Sequence, residues 1–180
     1  MSANTKTRVG AKTKAAATAK TRISAKAKET AKATAKKTAK AKATGSVDPA
    51  LLDRLVQAAK AARDHAYAPY SRYSVGAAIA TATGSIYVGC NVENASFGAT
   101  TCAERGAIMQ MIAHGEREPV ACAVVTADEG GSPCGICRQV LAEFAKDMPV
   151  VLVGLGSREG ETGRVVQLQD LLPLAFRLKS

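Results

Sequence analysis

The first 46 residues contain almost nothing that could be buried. They run as Ala, Lys and Thr, as in "AKATAKKTAKAKATGS", with Val9 and Ile23 the only larger apolar side chains after Met1. No apolar stripe repeats, and 13 Lys/Arg face a single acid, Glu29, so burial cannot offset the entropy of ordering the backbone. A disordered basic tail is expected over 1–46, and any hydrophobic core must come from residues 47–180. Charge divides at the same boundary. The tail carries +12, whereas 12 basic and 14 acidic residues leave the remainder at −2. Those 134 residues suffice for one domain, which at that size buries roughly two thirds of the surface its unfolded chain exposes.

The tail lacks the apolar centre of a signal peptide, and no later segment approaches the ~20 apolar residues of a membrane span. A soluble, cytoplasmic protein with no membrane contact is expected. For the tail itself three roles stay open: an arm that contacts nucleic acid nonspecifically, a passive solubilising extension, or a targeting segment. The last fits least well, because transit peptides are typically rich in Arg and Ser with an amphipathic face.

The domain opens at "VDPALLDRLVQAAKAARDHA". Asp48 is placed to cap a helix, Pro49 suits its first position, and Val47 can staple onto Leu52. Leu51, Leu52, Leu55, Val56 and Ala59 then share one face. "APYSRY" ends the helix, and "SVGAAIATAT", Gly84 and "SIYVGC" predict two strands around a tight turn. Further on, the pattern predicts a helix over 102–114, a buried strand in "PVACAVVTAD", a helix over 134–146, a strand in "PVVLVGL" and a short helix in "VQLQDLLP". Strands alternating with helices argue for an α/β domain with helices on both faces of a sheet.

Five cysteines and no secretion signal argue against a disulfide framework. Cys134 and Cys137, in "PCGIC", share one face of a helix at i, i+3, so two thiolates can converge on one ion; a redox dithiol uses the same spacing. Cys102 and Glu104 lie two residues apart and would diverge on a regular helix. Both reach one centre only if Cys102 caps the helix, where the N-terminal dipole also favours a thiolate. Three cysteines with no spaced fourth ligand match a catalytic zinc, which keeps one position open; a structural zinc would need His65 or His114 as well. Cys90 and Cys122 sit at or in strand-like runs and read as small core residues.

Cys-x-Glu followed by Pro-Cys-x-x-Cys is the three-cysteine form of the zinc nucleobase deaminase signature. "NVENASFGATTCAERGAI" and "SPCGICRQVLAEF" together resemble the free-nucleoside cytidine deaminases, in particular the small homotetrameric type. The likeness extends from "AYAPYSRYSVGAA" to "LLPLAF", about residues 50 to 176. It implies a three-layer α/β/α sandwich with a five-stranded mixed sheet.

The resemblance also implies roles. Zinc on Cys102, Cys134 and Cys137 would activate water for attack on C4 of cytidine or deoxycytidine, with Glu104 moving the protons. Arg105 would bond the ligand sulfurs and offset the net negative charge of three thiolates around a dication. Asn91 and Glu93, at i, i+2 in an extended segment, would bind the ribose hydroxyls, and the Ala103 backbone the pyrimidine edge. Phe97 and Tyr73 fall at substrate-pocket positions; the family usually has Phe in place of Tyr73, so its extra hydroxyl needs a partner. Phe176 would enter a neighbouring subunit's pocket and complete the site across the homotetramer. Other readings are a cytosine deaminase acting on polynucleotides, which the basic tail suits, a deaminase of nucleoside antibiotics, and a zinc-stabilised nucleic-acid-binding module.

Overall fold

The computed structural model describes residues 48–128, 130–156 and 163–178. The basic tail, and the proposed Val47 staple with it, lie outside these residues. The domain begins with helix α1 (Pro49–Arg63), capped as its sequence demands: Asp48 Oδ1 accepts from the Ala50 amide at 3.0 Å, and Pro49 takes the first turn. Strands β1 (Gly76–Thr81) and β2 (Ile86–Cys90) follow, then a 3₁₀ turn (Phe97–Ala99) and helix α2 (Ala103–Ala113). Strand β3 (Pro119–Thr126), helix α3 (Gly135–Phe144), strand β4 (Pro149–Gly154), strand β5 (Arg164–Gln167) and the one-turn helix α4 (Leu168–Leu171) complete the chain order.

The five strands form one mixed sheet in the order β2-β1-β3-β4-β5. Only β3 and β4 run parallel; β1 with β2, β1 with β3 and β4 with β5 are antiparallel. Alternation along each strand supplies two cores. Ala78, Ala80, Ala121, Ala123, Val151 and Val153 face α1, against Leu55 and Ala59. Ile79, Cys122, Val124, Val150 and Leu152 face α2 and α3, against Ala107, Ile108, Met111 and Leu141. Helices on both faces make the expected three-layer sandwich. The side toward α1 is built largely from alanine, so the helix lies close: a Cβ on Gly76, at the start of β1, would overlap the Ala59 carbonyl.

One element departs from the sequence reading. Val166 and Gln167, expected in a helix, belong to β5, and the helix after them is a single turn. The valines at 165 and 166 pair with Val151 and Val150 as the outer strand. Four residues on a sheet edge show too little alternation to register against the leucine spacing that follows. Among the described residues no helix is long and apolar enough to cross a membrane.

Candidate metal centre and substrate cleft

Two helix N-termini meet beside the end of β3. Cys102 is the N-cap of α2 and Cys134 the N-cap of α3, both with extended backbone. Neither sulfur is used to cap its own helix. Cys137 sits in the first turn of α3 and is fully buried. The three Sγ atoms lie within 4.8 Å of one another, and Cys102 and Cys134 are 3.9 Å apart. Sulfurs placed tetrahedrally ~2.3 Å from a zinc ion stand about 3.8 Å from each other, so the donor set fits the ion in spacing and in softness. Among the described residues this is the one such cluster, and His65 and His114 are outside it. His114 instead turns Nδ1 to the Gln110 carbonyl and its ring to Tyr87. Three protein ligands leave a tetrahedral ion one open position, which distinguishes a catalytic from a structural zinc. Cys122 is buried in β3, and the Cys90 thiol reaches the His65 carbonyl at 3.4 Å, so neither belongs to the centre.

The surroundings are built for negative sulfur. Hydrogen bonding from Cys137 is the main influence drawing the Cys102 thiol down to about 5, with Arg105 helping and burial opposing. The same sharing pushes Cys137 upward, so of these two thiols Cys102 gives up its proton more readily. Arg105 Nη2 donates to the Thr100 carbonyl and lies 3.9 Å from Cys102 Sγ. Its Nε is buried without a hydrogen-bond partner. A guanidinium left partly unsatisfied beside three sulfurs is what a thiolate-rich centre needs to offset its charge.

Glu104, in the first turn of α2, is only 4 % exposed. Burial raises its carboxyl above the ordinary range, and the negative Cys102 adds to the effect. It shares a cleft of about 420 Å³ with Cys102 and Cys134; Tyr73, Asn91, Glu93, Ala103 and Thr126 also line it. Among the described residues no Lys, Arg or His does. Residues 91 to 93 are extended, as expected: Val92 bridges to Tyr67 and Thr101 and faces outward, while its neighbours turn into the cleft.

Asn91 is already engaged on both sides of its amide. Oδ1 accepts from the Val75 amide and Nδ2 donates to the Tyr73 carbonyl, each at 2.8 Å. Glu93 Oε2 accepts from the Tyr70 amide at 2.8 Å and from Ser71 at 3.2 Å, and hydrogen bonding from Ser71 holds its carboxyl below the usual range. These two side chains therefore shape the loop 70–75 that walls the cleft.

Phe97 is displaced from this cleft. It lines an adjoining depression and packs edge-on against Tyr70, ring centroids 6.1 Å apart. Phe176 lines neither hollow and is 68 % exposed, its carbonyl held by Gln139 Nε2 at 2.8 Å. The sequence reading missed four contributors: Thr126 and Ser132 in the lining, Asp128 behind it, and Arg138, which donates to Ser132, Pro133 and Leu171. The ends of β3 and of the loop that follows it were the available signal, since α/β sheets gather ligands at the carboxyl ends of their strands.

Thiolate donors at two helix starts, an open ligand position and a buried carboxylate within the same cleft define a hydrolytic zinc enzyme of the deaminase class. Comparison with known proteins gives the family. Residues 50–153 match the family model described as the cytidine and deoxycytidylate deaminase zinc-binding region. A cytidine deaminase of Sporosarcina psychrophila is 46 % identical over 127 residues, covering 69 % of this chain and 90 % of that protein. One from Halalkalibacterium halodurans is 44 % identical over 123 residues, covering 68 % and 91 %. Among solved structures, cytidine deaminase from Burkholderia pseudomallei aligns with a TM-score of 0.64 at 49 % identity, over 69 % of this chain and 98 % of that one. The chain belongs to the zinc-dependent cytidine and deoxycytidylate deaminase family.

Proposed function

We propose that the protein hydrolyses the exocyclic amine of cytidine and 2′-deoxycytidine, releasing ammonia and leaving uridine and 2′-deoxyuridine, in the reuse of pyrimidine nucleosides. The observation that carries this reading is Glu104, buried in the same cleft as the three converging cysteines. Zinc held by Cys102, Cys134 and Cys137 supplies Lewis-acid activation of water for attack at C4.

The chain's own groups do the rest. Glu104 takes up one proton of the attacking water and hands it to N3 of the ring; it then takes the second proton from the new C4 hydroxyl and delivers it to the amine, which leaves as ammonia while C4 becomes a carbonyl. Its raised affinity for a proton suits a group that must both take and give one. Arg105 offsets the charge of the sulfurs. The Ala103 backbone, at the start of α2, contacts the pyrimidine edge. Asn91 and Glu93 keep lone pairs and an N–H beyond those spent on loop 70–75, and these receive the sugar hydroxyls. Tyr73 flanks the nucleoside, and Phe97, in the adjoining depression that shares Glu93 with the cleft, stands at its outer side.

Among the described residues the lining offers the carboxylates of Glu93 and Glu104 and no Lys, Arg or His, so a phosphate on the sugar would meet repulsion there. That favours a free nucleoside over a nucleotide. Release of ammonia from cytidine by the purified zinc-loaded protein, with uridine appearing at the same rate, tests the reading; absence of both at millimolar cytidine overturns it.

The assembly is proposed to be a homotetramer in the cytoplasm, each site covered by Phe176 of a neighbour. The +12 of residues 1–46 favours a second property, nonspecific binding to nucleic acid. Each phosphate contact on duplex DNA steepens the log–log salt dependence by about 0.9. Full-length protein should therefore bind DNA in a salt-sensitive way that residues 47–180 alone, at −2, do not reproduce. Equal binding by both at low salt would remove the tail from the account.

A further inference from the structure

Tyr73 and Asp128 close a hydrogen-bonded path behind the cleft. Tyr73 Oη donates to Asp128 Oδ2 at 2.8 Å, joining residues 55 apart in sequence. The other carboxylate oxygen, Oδ1, accepts from Thr126 Oγ1 and from the Gly131 amide, and that amide also reaches Thr126 Oγ1 at 2.9 Å. Gly131 leaves room for this packing: a Cβ there would stand 2.7 Å from the Tyr73 hydroxyl oxygen. Gly131 and Ser132 line the cleft and lead through Pro133 to the zinc ligand Cys134. At its other end the path continues from the Tyr73 carbonyl to Asn91. One chain of hydrogen bonds thus ties the wall carrying Asn91 to the loop carrying Cys134, and its central link is a phenol bonded to a carboxylate.

We propose that Tyr73 and Asp128 are a positioning pair for substrate, a latch that fixes the separation of loop 70–75 from loop 130–134 and so the width of the cleft. The proposal rests on the nucleoside deaminase reading. Neither residue reaches the reacting atoms. Their work is to present the Tyr73 ring and the Asn91 amide at a set distance from the metal centre, which is paid in binding the nucleoside. Without Asp128 the phenol would lose its acceptor at the cleft wall; without the phenol, the carboxylate would keep its bonds to Thr126 and Gly131 but release the opposite loop.

The test measures KM and kcat for cytidine, the dissociation constant of uridine by calorimetry, and zinc content in Tyr73→Phe, Asp128→Ala and the double variant. In each single variant KM and the uridine constant should rise by about three- to tenfold, the scale of one partly exposed charge-assisted hydrogen bond. Most of the loss in kcat/KM should lie in KM, with one zinc per chain retained. The double variant should be no weaker than the weaker single, since both substitutions cut the same link. Wild-type uridine affinity in Tyr73→Phe, or losses that add in the double variant, would overturn the latch. A purely structural role would show as lowered unfolding temperature or lost zinc with the uridine constant unmoved, which also overturns it. If the wild type neither deaminates cytidine nor binds uridine, the underlying reading fails instead, and the proposal falls with it.

Discussion

Two glutamates in this domain titrate in opposite directions, and their surroundings say why. Glu104 lies at the start of α2, and burial with the nearby Cys102 charge raises its proton affinity. Glu116, just after that helix, is held down to about 2: partial burial opposes the shift, but hydroxyls of Thr81, Thr83, Ser85 and Tyr87 outweigh it. Thr83 and Tyr87 donate to its two oxygens at 2.8 and 2.9 Å. One carboxyl is prepared to exchange a proton; the other is prepared to keep its charge and tie the β1–β2 turn to the next loop. Replacing Glu104 by Gln should therefore leave one zinc per chain and lower turnover by at least roughly 10²–10⁴, the span for losing a general acid–base group. Metal analysis beside steady-state kinetics checks this, and a variant that loses zinc would make Glu104 a structural support of the centre. For Glu116 the sign is that of a depressed carboxyl. Its contribution to stability is full above the unfolded value near 4.5 and disappears as pH falls toward about 2. Denaturant midpoints followed across that interval should fall less steeply in Glu116→Gln than in the wild type, and parallel curves would contradict the assignment.

At the level of elements, the site depends on how closely α2 lies on the sheet. Gly89 in β2 makes the approach possible, because a Cβ there would overlap the Ala103 carbonyl and the Ala107 amide. Those backbone groups belong to the first turns of the helix that carries Cys102 at its cap and Glu104 in its first turn. Gly89→Ala should destabilise the domain by about 1–3 kcal/mol, the usual cost of overpacking, and should also weaken zinc retention by shifting Cys102 away from Cys134 and Cys137. Unfolding midpoints and zinc loss to a chelator report the two effects separately; wild-type values in both would show that the helix can retreat without cost. Much of this arrangement is legible in sequence because it is local. Asp48-Pro49 marks a helix start, Cys102 must be a cap if Glu104 is to face the same centre, and Cys134-x-x-Cys137 gives a shared face. The unread parts depend on long-range pairing. Residues 164–167 form a strand only because β4 offers an edge, the Tyr73 hydroxyl finds Asp128 across the cleft, and Asn91 spends its amide on backbone brought back by the loop before β1. None of these leaves a periodic trace in the chain.

For the molecule as a whole, the cleft is open where a nucleoside site needs cover, and the apolar residues suited to cover it are spread on the surface. Leu174, Phe176 and Leu178 are 94, 68 and 83 % exposed, near the chain end, whereas a large ring in a stable protein is ordinarily buried against something. The Phe176 ring is not buried in its own domain. Gln139 nevertheless holds the Phe176 carbonyl to α3, the helix of two zinc ligands, so the segment is anchored while its ring points away. The proposed partner is a second copy, whose own cleft would accept that ring. Phe176→Ala should then raise KM with zinc content unchanged, because cover and a stacking face are lost while the metal centre stays intact. Co-assembled with Glu104→Gln, it should recover activity, since a subunit that keeps Glu104 can take Phe176 from its neighbour. In a one-to-one mixture on the order of a quarter of the sites would hold both groups, if subunits associate at random in a closed oligomer. Activity of the mixture well above the sum of the two variants would establish completion across subunits. Mixed oligomers that stay as inactive as their components, or a fully active monomer by light scattering, would return Phe176 to its own chain.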